Sequence, residues 1–175
     1  METAAGETRV AASPETVRKF TALGCRVVLE KGAGQASGYL DEAYVEAGAE
    51  LVSRGDSSAW SQADVLLCVQ SPSGTALSQL RRGSLVVGLL APYANAELAG
   101  VLHQAGLSAM ALELLPRISR AQSADALSSQ ANIAGYKAVL LASAALDRYF
   151  PMLMTAAGTV QPARVVILGA GVAGL

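Results

Sequence analysis

Two groups of residues in this chain have types and spacings suited to chemistry. The first is Gly169-Ala170-Gly171-Val172-Ala173-Gly174, placed directly after the apolar run Arg164–Leu168 (RVVIL). A G-x-G-x-x-G loop between a strand and a helix is built to meet a phosphate anion. The first glycine makes the tight turn, the second lets backbone approach a pyrophosphate, and the third lets the helix pack close to the strand. A tight strand-to-helix turn without a ligand would use the same glycines. The second group is Arg117, Gln122, Asp125 and Ser128, within PRISRAQSADALSSQANIAGY. If the stretch is helical from Gln122 onward, positions 122, 125, 128/129 and 132 share a face. An amide, a carboxylate and a hydroxyl would then lie together with a guanidinium nearby. Such a set can orient a carboxamide and a ribose and fix a nicotinamide ring for hydride transfer. An ordinary polar turn, with an Arg117–Asp125 ion pair and capping serines, accounts for the same residues.

The elements that must position these groups alternate along the chain. Ser13-Pro14-Glu15 is a helix start, with a hydroxyl N-cap, proline at the first helical position and an acid in the first turn. Val17, Phe20 and Leu23 line one face, and Gly24 ends the helix. Cys25–Leu29 is expected as a strand, 41–47 as a helix, and a short strand follows near Leu51. Asp64–Val69, Ser84–Leu90 and Ser108–Leu112 are further strands, separated by helices over 75–82 and 96–105. These strands are apolar throughout, which suits a parallel sheet covered on both faces. Strands separated by helices imply an α/β, doubly wound, mostly parallel sheet. After Leu115 a polar stretch leads into an expected helix over 137–149, broken at Pro151, with 158–163 as a linker. Arg164–Leu168 is then the first strand of a second α/β unit. The organisation read here is an N-terminal domain over 1–130, a connecting helix and linker over 131–163, and the start of a dinucleotide-binding domain over 164–175.

Composition removes several classes of function. The chain has 175 residues, is 52% hydrophobic and carries a net charge of −1, so a disordered tail and a basic nucleic-acid stripe are both excluded. The apolar run 138–146 is too short for a membrane span, which needs about 20 residues. METAAGETRV has no apolar core behind a positive region and is not a secretory signal. Cys25 and Cys68 sit in apolar stretches and are expected as buried thiols. With the single His103, they leave no basis for a zinc site.

The segment PRISRAQSADALSSQANIAGY resembles the signature of the alpha subunit of proton-translocating nicotinamide nucleotide transhydrogenase, within the alanine dehydrogenase/pyridine nucleotide transhydrogenase family. GETRVAASPETV, EKGAGQASGYLDEAYVEAGAELV and RVVILGAGVAGL are similar to the same family. The resemblance implies a Rossmann/flavodoxin-like N-terminal domain followed by a second Rossmann domain that binds NAD(H). It implies hydride transfer to NADP(H) on a partner component, coupled to proton movement through membrane-spanning components. Arg117, Asp125 and Ser128 would contact the nicotinamide end, Gln122 would reach toward the NADP(H) side, and Arg120 would belong to the cofactor site. Gly169, Gly171, Val172 and Gly174 would meet the dinucleotide backbone. The resemblance also implies a homodimer on the cytoplasmic face of the inner membrane, without direct insertion into it.

Two other readings stand beside that one. Alanine dehydrogenase shares the pattern that places Arg9, but it uses a lysine and a histidine on pyruvate. Aligned strands put Gln70 and Ala91 at those positions, and neither is a general acid or base. Arg9 is then a structural or relict group. The other reading is a non-catalytic dimerisation or docking fragment. The family pattern begins with a short first strand, and an edge strand is expected to be missing at METAAGE. The chain ends at Leu175, before the helix and the ribose-binding acid of the fingerprint, so it is expected to be a fragment that does not complete an NAD site.

Overall fold

A computed structural model describes residues 2–175, and they divide into two compact units, one running up to Leu115 and the other Pro116–Leu175. In the first unit the elements run α1 (Pro14–Ala22), β1 (Val28–Glu30), α2 (Asp41–Glu46), β2 (Glu50–Val52), α3 (Ser57–Gln62), β3 (Val65–Gln70), α4 (Gly74–Leu77), β4 (Leu85–Leu89), α5 (Leu98–Ala105) and β5 (Ser108–Ala111). Every strand pair is parallel: β1 with β2, β3 with β4, and β4 with β5. The fold is therefore the α/β, Rossmann-like arrangement that the alternation implies. Its sheet is in two pieces, β1-β2 and β3-β4-β5.

Local chemistry explains where the helices begin. Ser13 caps α1, its Oγ accepting from the Thr16 N–H at 3.2 Å, and Pro14 opens the helix. Asp56 caps α3 by accepting from the Ser58 N–H at 2.9 Å. That six-residue helix, SSAWSQ, has no apolar period and is not visible in the sequence pattern. The helix expected over 75–82 is only the four residues of α4, after which Gln79 and Leu80 close single turns onto Ala76 and Leu77.

Two apolar cores form in the first unit. Ala12, Val17, Tyr44, Ala47 and Ala49 pack around β1 and β2, and the buried Tyr44 hydroxyl donates to the Ala12 carbonyl at 2.9 Å. Cys68, Leu77, Leu80, Val86, Leu90 and Leu98 pack around β3 and β4. The expected cover on both faces holds for one face of β3 only, since Val65 is 50% exposed and Leu67 37% exposed. These two side chains point away from the face that carries Leu66 and Cys68, as pleating requires.

The second unit holds α6 (Ala126–Ala145), β6 (Leu153–Thr155) and β7 (Gly158–Val160). The helix expected over 137–149 thus starts eleven residues earlier and ends at Ala145. The stretch read as a linker opens with β7, paired antiparallel to β6 through a short turn. Arg164–Leu168 forms no strand; Val166 is 83% and Leu168 96% exposed. A parallel strand exists only by pairing, and among the described residues no neighbour bonds to this one.

One of the two thiols differs from expectation. Cys68 is buried, but Cys25 is exposed, in the loop between the Gly24 turn and β1, which begins at Val28. Burial pushes the Cys68 thiol up to about 12. Since the thiolate is the reactive form, one thiol should react rapidly with Ellman's reagent in native protein and Cys25→Ser should abolish that phase. The second thiol should appear only on denaturation; two rapid equivalents would contradict this packing.

Candidate functional site

The polar loop is built around a helix start rather than a helical face. Ser119–Ala124 is a 3-10 turn, and Asp125, with ψ 81°, is the N-cap of α6. The face predicted from Gln122 through Asn132 therefore does not form, because the α-helical period begins only at Ala126. Asp125 Oδ1 accepts from the Ser128 N–H at 2.9 Å, and the Ser128 hydroxyl donates to Oδ2 at 2.6 Å. The two Ser128 hydrogen bonds hold the Asp125 carboxyl below its ordinary range, and the Arg117 charge adds to that shift.

The structure joins Asp125 and Ser128 directly, while Arg117 acts on Asp125 through its charge alone and, with Arg120 and Gln122, is exposed. Gln122 contributes its backbone carbonyl, which accepts from the Asp125 N–H at 3.3 Å. The polar-turn reading holds only in part: the cap of α6 is Asp125 rather than a serine, and Arg117 forms no ion pair with it among the described residues.

The glycine loop lies in the same unit. Gly169 adopts φ +110°, a conformation closed to residues with a Cβ. A Cβ on Gly174 would lie 2.2 Å from the Gly169 carbonyl oxygen, so the third glycine permits a contact inside the loop. Gly171 would carry its Cβ into open space, and its carbonyl accepts from Gly174 N–H at 2.9 Å and Leu175 N–H at 3.1 Å. Two features of a phosphate-approaching loop are present, the turn at Gly169 and the unobstructed backbone at Gly171, while the close contact at Gly174 lies inside the loop rather than between a helix and a strand. Val172 is 44% exposed beside them.

At the carboxyl ends of the first unit's strands, Arg9 is already occupied. Its Nε and Nη2 donate to the two oxygens of Glu7, each at 2.7 Å. Gln70 Nε2 donates to Glu7 as well, at 2.6 Å. The Glu7 side chain is only 4% exposed, and the Arg9 hydrogen bonds hold its carboxyl at about 2, against an ordinary 4.5. Ala91, in a left-handed conformation at φ 49°, donates its N–H to Glu113. Glu2 accepts from the Val69 and Gln70 amides at 2.7 and 3.2 Å, satisfying the upper edge of β3. Glu2, Glu7 and Glu113 were not legible as site residues in the sequence; only the E-x-R spacing of Glu7 and Arg9 hinted at one of them. A cleft of about 260 Å³ opens nearby, lined by Glu2, Arg54, Trp60, Cys68, Gln70 and Ser73 among others. Among the described residues no cluster could hold a metal ion, and no helix is long and apolar enough to cross a membrane.

This geometry agrees with the comparisons to known proteins. Residues 1–134 match the family described as alanine dehydrogenase/PNT, N-terminal domain, and residues 138–175 match its C-terminal domain. The chain belongs to the alanine dehydrogenase/PNT family. It is 44% identical over 170 residues to NAD(P) transhydrogenase subunit alpha of Cereibacter sphaeroides, an alignment covering 97% of this chain and 32% of that protein. It is 33% identical over 180 residues to alanine dehydrogenase of Mycobacterium tuberculosis, covering 99% of this chain and 47% of that one. Among solved structures, transhydrogenase from Sinorhizobium meliloti superposes with a TM-score of 0.91 at 47% identity, covering 99% of this chain and 51% of that one. An L-alanine dehydrogenase gives 0.82 at 31% identity, covering 99% and 48%. The chain thus spans between about a third and a half of the length of the relatives it matches.

The Glu7 carboxylate gives a pH test of the strand-end cluster. Its folded value lies below its ordinary one, so its stabilisation is complete above pH 4.5 and is lost as the pH falls toward about 2. Melting temperature should therefore drop across that window, and Glu7→Gln should flatten part of the drop. An unchanged profile in the variant would show that the Glu7–Arg9 pair does not hold this end of the unit.

Proposed function

We propose that this chain is the NAD(H)-binding portion of a transhydrogenase alpha subunit, exchanging hydride between NAD(H) and NADP(H). The observation that carries the reading is the Arg117–Asp125–Ser128 set at the start of α6, in the same unit as a glycine loop open at Gly171. NAD(H), when bound, supplies or accepts the hydride. The chain's own residues hold it in place. Gly169, Gly171, Val172 and Gly174 form the backbone surface on which its pyrophosphate rests. Asp125 and Ser128 present an acceptor and a hydroxyl to the carboxamide and ribose of the nicotinamide end. Arg117 contributes the adjacent cation, with Arg120 and Gln122 on the exposed turn that faces outward toward the NADP(H) component.

The arrangement at Gln70 and Ala91 speaks against amino-acid dehydrogenation. An imino-acid reductase needs an acid to polarise the carbonyl, and an amide and a methyl group provide none. Arg9, the residue that would meet a substrate carboxylate, is engaged by Glu7 instead. The partners in this reading are an NADP(H)-binding component, membrane-spanning components that couple hydride transfer to proton movement, and a second copy of the chain. The assembly would sit at the cytoplasmic face of the inner membrane.

The polar set acts on rate more than on affinity, because the glycine loop holds the other half of the cofactor. Displacing reacting atoms by about 1 Å costs on the order of 10²-fold in rate. Arg117→Ala and Asp125→Asn, in the protein carried to the full length of its relatives and supplied with the NADP(H) component, should slow single-turnover hydride transfer by about that factor. NADH affinity should change less than the rate. If both variants melt earlier but transfer hydride at the wild-type rate, the loop is a helix cap and nothing more.

A further inference from the structure

Helix α6 connects the two halves of the candidate site in a way the glycine fingerprint does not reveal. A Cβ on Gly135 would lie 2.2 Å from the carbonyl oxygen of Ala173 and 3.0 Å from its carbonyl carbon. No side chain fits there, and the obstacle is backbone, which cannot swing away as a flexible side chain does. Gly135 is in mid-helix, where glycine is a poor helix former and alanine the best. Its presence there calls for a packing reason, and the loop carbonyl supplies one.

The position of Gly135 on the helix adds the second point. Seven residues separate it from Ser128, two turns of an α-helix, so both lie on one face. At 1.5 Å per residue they are about 10 Å apart along the axis. Ala131, one turn from each, lies on the same face; Ser128, Ala131 and Gly135 are all half-buried, while Ile133, Ala134 and Tyr136 are exposed. The face that carries the Asp125-bound hydroxyl at one end thus carries the seat of the glycine loop at the other.

We infer that Gly135 is a positioning residue: its bare Cα seats the Ala173 carbonyl on α6, so that this helix fixes the spacing between the pyrophosphate-binding loop and the nicotinamide-binding Arg117–Asp125–Ser128 set. Gly135 touches the loop backbone only and acts through it. The inference rests on the proposed NAD(H) site.

Gly135→Ala tests it, in the full-length protein with NADH as the probe. As a mere helix residue, alanine would raise the melting temperature and leave binding unchanged. As a positioning residue, it pushes the loop off the helix and weakens NADH binding by about tenfold or more, the equivalent of losing a good hydrogen bond. Ala134→Ser, on the exposed face, serves as the control and should bind as wild type does. Binding by Gly135→Ala within twofold of wild type would overturn the inference while leaving the NAD(H) site in place. Wild-type protein that binds no NADH would instead overturn the site itself. Hydrogen exchange in the wild type decides the matter without a variant, should Gly135→Ala not fold. Bound NADH should slow the amides of 131–135 together with those of 171–175, and protection of the loop alone would contradict the coupling.

Discussion

The second unit depends on how α6 begins. Asp125 leaves the helical conformation and turns its carboxylate back onto Ser128, satisfying that residue's N–H and its hydroxyl at once. The first N–H groups of any helix lack intrahelical acceptors, and here the Asp125 side chain satisfies the one on Ser128 at the start of a helix of 20 residues. The same two hydrogen bonds fix the carboxylate and the hydroxyl to each other, with the Arg117 charge close enough to lower the Asp125 carboxyl further. A structural cap and a preorganised polar pair are therefore one feature. Preorganisation of this kind is what binding a polar ring end needs, since the groups spend no ordering entropy on contact.

The first unit shows the opposite outcome at the place where a parallel sheet normally offers a site. Ligands of open α/β sheets bind outside the carboxyl ends of the strands. At that edge Glu7 gathers Arg9 and Gln70, while Glu113 holds the Ala91 amide. A guanidinium and an amide that could face a small carboxylate are consumed by an internal one. The nearly buried Glu7 is kept ionised by these donors, which is how a carboxylate avoids the penalty of burial. The chain belongs to the alanine dehydrogenase/PNT family, and at this edge Gln70 and Ala91 offer neither an acid nor a base.

Legibility in the sequence followed how local each cause was. The start of α1 was readable because Ser13, Pro14 and Glu15 carry their reasons within one turn, and the parallel strands because their apolar runs are bounded by turn residues. Helix α3 was missed because its cap, Asp56, precedes a stretch with no apolar period. The pattern starts α6 too late because Ser128, Ser129, Asn132 and Gly135 are weak helix formers; the cap at Asp125 and contacts of the helix outweigh them. Arg164–Leu168 has every local mark of a strand and lacks only a neighbour, which no local pattern can report. Arg117, Asp125 and Ser128 could be named from residue type and spacing, yet on a helical face that does not exist. Glu7 is hinted at by its spacing to Arg9, but its bond to Gln70 and the contact of Gly135 with residue 173 are long-range and beyond any local pattern.

The central claim is that one NAD(H) spans the glycine loop and the start of α6. A crystal structure of the full-length protein with NADH tests it directly. The pyrophosphate should lie against the backbone of Gly169–Gly174, with the nicotinamide carboxamide and ribose within hydrogen-bonding distance of Arg117, Asp125 and Ser128. A cofactor seated on the glycine loop with its nicotinamide end turned away from residues 117–128 would contradict it.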